Sequence, residues 1–335
     1  MQRRPLASTG IDFPAVTFGA WAGGGWDWGG ADDAQTIRAI QAGIDHGMDA
    51  IDTATIYGAG HSETVVGKAI QGHREQVVIA TKCGFRWDVE EGMLMEKRTP
   101  DGDVVQVRRR LTRESIRHEV EQSLRRLQVD VIDLYQCHAP DPGTPLEESM
   151  AALRELLDEG KVRAIGVSNF DAALLARSTE LAPVASTQSM YNLVLRDIDR
   201  DILPFCRENN VGVLTYTSLL LGLLSGKVPP GREFPEGDVR RGHHLFTPEW
   251  RAAVAAMLGD FQPIADGHGC SLAQLAIAWV AATPGVTTAL VGARSEAQAI
   301  ENARAGAIKL SSEEHESMRQ RADQLRAAML GFTPE

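Results

Sequence analysis

An α/β fold built as a single closed (β/α)8 barrel is what this sequence predicts, and three observations carry that reading. Short, β-rich apolar runs alternate with amphipathic helical stretches from one end to the other, the pattern of βαβ units on a parallel sheet. Eight such units can be counted, and no Ser-, Pro- or Gly-rich linker divides them, so residues 1–335 are expected to form one domain. Polar residues stand where the strands end, the place where such a barrel gathers its active site. A doubly wound open sheet is the alternative topology.

Taken in order, the first dozen residues read as a short hairpin. The barrel strands follow at 16–20 (VTFGA), 49–54 (DAIDTA), 77–83 (VVIATKC), 130–138 (DVIDLYQCH), 162–168 (VRAIGVS), 186–192 (STQSMYN), 212–219 (GVLTYTSL) and 287–293 (TTALVGA). Helices are expected at 33–47, 62–72, 112–128, 145–160, 171–181, 201–210, as a pair within 247–283, at 295–306 and in the tail 311–329. Their ends carry signals: Thr112 with Glu114 nearby, Pro145 before two glutamates, Ser271 opening SLAQLAIAWVAA, and Gly160 closing the fourth helix. Two segments break the repeat. Residues 84–111 form a long, charged insertion after the third strand, and 220–247 a Gly/Pro-rich loop after the seventh. Both leave strands on the catalytic face, so both are candidates for lids or pocket walls, and Lys227 and Arg240 could let the second close on an anionic pyrophosphate.

With 43% hydrophobic and 24% charged residues, the composition is that of an ordinary globular protein with a sizeable core. A net charge of -11 speaks against a broad nucleic-acid or anionic-membrane surface, so neither partner is expected. No apolar run long enough to span a membrane or serve as a leader is visible. Cys83, Cys137, Cys206 and Cys270 are scattered without a C-x-x-C pair, which suggests reduced thiols and a cytoplasmic setting. Nothing in the sequence speaks to the oligomeric state.

The strand ends bring together a convergent set. The second strand ends near Asp52 and runs into a loop holding Tyr57; the third ends at Lys82 and the fourth at His138. A lysine beside an aspartate would be a buried ion pair, and its charge near Tyr57 should favour the phenolate and lower the phenol pKa, leaving Tyr57 able to donate a proton. His138 could orient a carbonyl oxygen, as a neutral imidazole or a cation. Ser168, Asn169 and Gln188 suit a carboxamide, and Tyr216 offers a flat face for stacking, as a nicotinamide would require. Taken singly, each residue is as readily a packing group; their common address at successive strand ends is what argues for chemistry.

At these residues the sequence resembles the aldo-keto reductase family, from about Leu6 to about Leu310. The resemblance rests on GMDAIDTATIYGAGHSETVVGKAI (47–70), VVIATKC (77–83), DLYQCHAPD (133–141), GKVRAIGVSNF (160–170), QSMYNL (188–193), GLLSGK (222–227) and VGARSEAQAIEN (291–302). Within the family it looks closest to bacterial reductases and inositol-dehydrogenase-like members, and to potassium-channel β subunits. The resemblance implies Tyr57 as general acid, tuned by Asp52 and Lys82, with His138 orienting a small carbonyl or alcohol substrate and Trp21 at the pocket wall. It places Asp52, Ser168, Asn169, Gln188 and Tyr216 at the nicotinamide. Thr217, Ser218, Leu219, Gly222, Ser225 and Lys227 match the pyrophosphate loop, and Gly292, Arg294, Gln298, Glu301 and Asn302 the adenosine site. A helix starting at Ser295 beside Arg294 is also a physical seat for a 2′-phosphate, which favours NADP(H) over NAD(H); Arg294 as a mere cap of a surface helix is the alternative.

Two departures from the family pattern stand out: a strand-seven loop reading Y-T-S-L-L-L-G without the frequent proline, and the long 84–111 stretch, where substrate preference is most open. Other motifs fail. Gly58 and Gly60 meet Glu63 where a dinucleotide fingerprint needs glycine, Gly226-Lys227 lacks its phosphate-loop partners, and His118-Glu119 has Gln122 where a zinc motif needs histidine. His243-His244 stands without carboxylates, so no metal is expected. Trp26 and Trp28 suit a pocket wall or loop packing equally. The reaction expected is reduction of aldehydes or ketones, or its reverse on a polyol or sugar; the alternative is a cofactor-binding regulatory subunit, from which His138 separates this chain.

Overall fold

The computed structural model describes residues 1–229 and 231–330. Two short strands, β1 (Arg3–Pro5) and β2 (Asp12–Pro14), pair antiparallel. The first six βα steps then run β3 (Val16–Gly19), α1 (Asp33–Asp45), β4 (Ala50–Asp52), α2 (His61–Ala69), β5 (Val78–Cys83), an antiparallel sheet of β6 (Phe85–Arg86), β7 (Met93–Arg98) and β8 (Val104–Arg109), α3 (Arg113–Leu127), β9 (Ile132–Cys137), α4 (Leu146–Asp158), β10 (Val162–Ser168), α5 (Ala172–Leu181), β11 (Val184–Met190) and α6 (Ile202–Glu208). The chain continues through β12 (Gly212–Tyr216), α7 (Pro248–Gly267), α8 (Leu272–Ala282), β13 (Val286–Val291), α9 (Glu296–Ala305) and α10 (Ser312–Leu330). Strands β3, β4, β5, β9, β10, β11, β12 and β13 close in that order into a parallel barrel, the (β/α)8 architecture expected from the repeat.

Local chemistry explains the elements. The barrel strands are buried almost end to end, as sheets covered on both faces must be. Helix α1 turns Thr36, Ala39, Ile40, Gly43 and Ile44 inward at helical spacing, capped by Asp32, whose carboxylate accepts the Gln35 amide. Ser271 and Gln274 form a reciprocal capping box at α8, which is buried on almost every side because α7 and α9 flank it and β13 underlies it. Some expected strand limits shift: the sixth barrel strand begins at Val184 rather than at 186, and the seventh stops at Tyr216, because Thr217 turns into the left-handed region with φ 62°.

The two ends of the barrel differ. Leu6, Ile11 and Phe13 of the N-terminal hairpin pack into a small-residue interior of Ala50, Ala80, Ala164 and Ala185 and close that mouth. At the other end polar side chains remain. The stretch 84–111, expected as a charged loop, is instead a regular β-hairpin: Met93–Arg98 pairs with Val104–Arg109 in continuous register. Its inward face, Met95, Val105 and Val107, packs with Ile56, Phe85 and Ala139. Period-two alternation outvoted the high charge: Glu96, Arg98 and Gln106 take the solvent side, while Lys97 is the charged residue that turns inward with the apolar stripe. Among the described residues no helix is long and apolar enough to cross a membrane.

Candidate active site

At the open mouth Asp52 is the hub. It lies at the end of β4, 3% exposed, and its Oδ1 accepts from the Lys82 ammonium at 2.6 Å while Oδ2 accepts from the Gln188 amide at 2.8 Å. Lys82 also donates to the Thr53 carbonyl at 2.9 Å and is fully buried. Removing one partner of such a pair strands the other in low dielectric, at a cost of roughly 3–5 kcal/mol. The three residues come from strands β4, β5 and β11, so barrel closure itself assembles them.

Tyr57 lies above this hub, half-buried, with the Lys82 nitrogen 5.3 Å from its ring centre. Its backbone is clamped by the Gly-rich stretch after β3: a side chain at Gly24 would sit 2.6 Å from the Tyr57 carbonyl carbon, and one at Gly58 2.2 Å from the Gly24 oxygen. Only glycine permits that approach. Trp21 stacks on the Tyr57 ring at 6.2 Å, and His138 meets it edge-on at 5.8 Å.

The electrostatics correct one expectation. Burial pushes the Tyr57 phenol well above its ordinary range, and Asp52, Tyr216 and Asp27 push it further; Lys82, committed to Asp52, does not lower it. Burial holds Lys82 below its usual value against the pull of Asp52. His138 is driven well below its usual value by burial and then by Lys82, Lys97 and Arg109, so it is a neutral imidazole at neutral pH. The arrangement therefore offers a protonated phenol and an uncharged ring beside it, a pair able to hydrogen-bond a carbonyl oxygen and give it a proton.

Two hollows meet at Tyr57. A cleft of about 650 Å³ runs away from Asp52 and Tyr216 between the strand-seven loop and α9. A smaller pocket of about 180 Å³ lies on the other side, walled by Trp21, Trp26, Phe85, Met95 and His138. At their junction Tyr216 donates to the Asn169 Oδ1 at 2.7 Å, Asn169 donates to the His138 carbonyl at 2.9 Å, and Ser168 donates to the Gln188 carbonyl at 3.0 Å. Asn169 holds φ 61°, a left-handed turn that Asn tolerates and that points its amide back across the strand ends.

Along the cleft stand Thr217, Ser218, Leu219, Gly222, Ser225 and Lys227 from the loop, and Gly292, Arg294, Gln298, Glu301 and Asn302 from β13 and α9. Ser295 caps α9 as expected, accepting from the Gln298 amide, which leaves a helix N-terminus facing the cleft beside Arg294. Of the candidate site residues, only Lys82 lines neither hollow; its ammonium is bound to Asp52, which lines the cleft. Two cations differ from expectation. Lys227 is paired with Glu301 at 2.8 Å, bridging loop to helix, and Arg240 is held by Asp238 at 2.6 Å and by the rings of Phe234 and Trp28 at 4.4 and 5.2 Å. Arg240 is thus a fastening of the loop rather than a free anion hook.

Sequence reading missed the residues whose importance depends on tertiary approach. Trp26 lines the pocket and Trp28 the cleft, and both also pack: Trp28 edge-on to Trp21 and under Arg240, Trp26 against the apolar cluster of Ile56 and Phe85. Asp27 and Lys97, 70 positions apart, form an ion pair at 2.9 Å in the pocket wall. A signal for the hairpin existed: T-P-D-G-D at 99–103 is a turn sequence between two alternating runs. No signal marked Asp27. Among the described residues no cluster of three or more His, Cys, Asp or Glu is placed to hold a metal ion.

The cleft volume falls within the roughly 300–1,000 Å³ usual for cofactor sites. Where it meets the small pocket stand the amides and hydroxyl of Ser168, Asn169 and Gln188, and at its far end a helix N-terminus with an arginine, a polarity that fits a nicotinamide dinucleotide. Comparison with known proteins agrees. The aldo/keto reductase family model matches residues 15–323. The chain is 39% identical over 302 residues, 89% of its length and 86% of the relative's, to aldo-keto reductase YhdN of Bacillus subtilis (strain 168). It is 37% identical over 331 residues, 97% of its length and 99% of the relative's, to the NADH-specific methylglyoxal reductase of Escherichia coli (strain K12). Among solved structures, a glycerol dehydrogenase from Gluconobacter oxydans superposes with a TM-score of 0.84 at 36% identity, covering 97% of this chain and 95% of that one.

Proposed function

The chain belongs to the aldo/keto reductase family, and from that premise we propose that it is an NADP(H)-dependent oxidoreductase that reduces an aldehyde or ketone to an alcohol, or runs the reverse on a polyol or sugar. The observation that carries the reading is the meeting of the two hollows at Tyr57, which sets one phenol between a dinucleotide-sized cleft and a small pocket. A bound reduced nicotinamide supplies a hydride, two electrons, to the carbonyl carbon. Tyr57 gives its proton to the carbonyl oxygen and is reprotonated from solvent, so the product is a neutral alcohol. Burial, which keeps the phenol protonated, supports that role. Neutral His138 orients the oxygen without competing for the proton. Asp52 and Lys82 hold each other as a buried pair beneath Tyr57, with the Lys82 nitrogen 5.3 Å from its ring centre, and so fix the floor on which the phenol stands.

Ser168, Asn169 and Gln188 would hold the carboxamide and Tyr216 the ring face; Thr217, Ser218, Leu219, Gly222, Ser225 and Lys227 would wrap the pyrophosphate. Gly292, Arg294, Gln298, Glu301 and Asn302 would take the adenosine part. The preference for NADP(H) rests on Arg294 at the N-terminus of α9, although the Escherichia coli relative is described as NADH-specific.

Replacing Tyr57 by Phe tests the reaction. The variant should bind cofactor within threefold of the wild type, by fluorescence titration, yet lose roughly 10²–10⁴-fold in kcat, because the proton donor alone is removed. Turnover within tenfold of wild type would remove Tyr57 from the role.

A further inference from the structure

The hairpin β7–β8 turns Met95, Lys97, Val105 and Val107 toward the pocket, alternating as a half-buried sheet must. Three of the four are apolar. Lys97 of β7 alone carries charge there; Arg109, at the end of β8, is committed to the Pro140 carbonyl at 2.9 Å and to the Phe85 ring. The Lys97 ammonium meets the Asp27 carboxylate at 2.9 Å, and both side chains are lining groups of the small pocket together with Tyr57 and His138. Asp27 is fixed from the other side as well. Its backbone holds φ 65°, and its carbonyl accepts the Val239 amide at 2.8 Å, so both long connections set the direction of its carboxylate. The pair reaches the reacting groups electrostatically: Asp27 adds to the lift on Tyr57, and Lys97 to the depression of His138.

We propose that Asp27 and Lys97 form a recognition pair for a substrate hydroxyl, which makes small hydroxyaldehydes and hydroxyketones, and in reverse their polyols, the substrate class of this site. The inference rests on the carbonyl-reductase reading above and adds what selects the carbonyl. A hydroxyl matches the pair in full, donating to the Asp27 carboxylate and accepting from the Lys97 ammonium. The pair is 17% and 29% exposed, half-wetted, so a ligand hydroxyl replaces water without breaking the ion pair. An acid substrate fits poorly, since its carboxylate would face Asp27 beside a lysine already neutralised. An apolar carbonyl fits poorly too, since it would dry the pair without bonding it. Size sets the rest: about 180 Å³ is little more than the roughly 150 Å³ that holds benzene, so the substrate is a molecule of a few carbons.

The test compares two aldehydes of similar size, glyceraldehyde and butyraldehyde, by steady-state kinetics with saturating reduced cofactor. Wild type should prefer glyceraldehyde in kcat/KM. Lys97→Met should lower the glyceraldehyde-to-butyraldehyde ratio at least tenfold, and Asp27→Asn at least threefold, while Lys97→Arg keeps it within threefold. If Lys97→Met does not fold, Asp27→Asn carries the same comparison through. An unchanged ratio with both substrates falling together would make the pair a structural strap and overturn the proposal, as would a wild-type preference for butyraldehyde or for the acid glyoxylate. Failure of the underlying reading looks different: wild type would reduce none of the three, or Tyr57→Phe would leave butyraldehyde turnover intact.

Discussion

Residues 84–111 and 220–247 both leave the mouth of the barrel, but only the first is held by a ladder. The hairpin keeps six cross-strand pairs in register and buries a stripe of Met95, Val105 and Val107 over the small pocket. The described part of the strand-seven loop has one isolated bridge, Trp28 to Asp238, and is fastened by side chains: Arg240 on Asp238 between two aromatic rings, Lys227 on Glu301. It also begins strained, with Thr217, Leu220 and Leu221 all at positive φ. The hairpin is therefore a rigid wall for a substrate, and the loop a wrap whose fastenings come from elsewhere in the fold. Lids drawn from weakly laddered segments can order around a ligand.

The largest expected effect lies at the root of the hairpin. Glu119 of α3, buried, accepts the Gly84 amide on both oxygens at 3.0 Å, the Ser115 hydroxyl at 3.2 Å and the Thr55 hydroxyl at 3.4 Å. Burial lifts its carboxyl from 4.5 to about 8, against the opposing pull of Gly84, Arg86 and Ser115. Between those values the folded protein holds a proton the unfolded chain has lost, so this group's stabilisation falls as pH rises from about 5 to about 8, by an amount on the order of a few kcal/mol. His138, with its pKa depressed, works in the opposite sense: it penalises the fold in acid and stops doing so as pH rises past the unfolded value. The difference between wild type and Glu119→Gln isolates the carboxyl. Denaturant melts at pH 5, 6.5 and 8 should show wild type losing stability relative to the variant; parallel curves would mean the carboxyl is ionised throughout, and the hairpin root held by charge instead.

The next effect belongs to the cleft and should leave the pocket alone. Arg294 donates to the Gly30 carbonyl at 3.1 Å and stands at the N-terminus of α9, beside its Ser295 cap. Arg294→Ala should weaken NADPH by about 10–100-fold, the worth of a charge-assisted contact to a 2′-phosphate, and NADH by no more than about threefold through the lost tie to Gly30. The ratio of kcat/KM between two aldehydes should not move. Equal losses for the two cofactors would make Arg294 a strut of the mouth and remove the basis for an NADP(H) preference.

What the sequence made legible follows the same divide. Eight strands and their helices were readable because each repeats a local pattern, and Asp52, Lys82 and His138 could be placed at one mouth because strand ends are countable, with Tyr57 in the loop after the first of them. The hairpin was readable in principle, from the turn at 99–103 and the alternation around it, but its charge obscured the period. Arg240 was not, because its role depends on Asp238, Trp28 and Phe234 arriving together. Asp27 was not, because a left-handed aspartate among glycines looks like any turn. The expected depression of the Tyr57 phenol failed for a related reason: proximity to Lys82 was inferred correctly, while the dominance of burial needed the packed site.

The smallest expected effect tests whether the strain at the start of the strand-seven loop is intrinsic to the loop or imposed on it. Thr217 is β-branched and holds φ 62°, a conformation that Asn tolerates far better. Its carbonyl accepts the Leu220 amide at 2.7 Å and the Asn192 side chain at 3.1 Å, so the turn is held by groups on both sides and does not relax. Thr217→Asn keeps those backbone bonds and relieves the crowding, so it should stabilise the protein by about 0.5–1 kcal/mol, roughly 1–2 °C in Tm. The gain should come with no change in the hairpin, and hydrogen exchange should slow at 217–224 only. A variant less stable than wild type would show that the Thr217 side chain contributes more to this turn than its strain costs, and the contrast between a relaxed wall and a strained wrap would have to be redrawn around the side chains instead of the backbone.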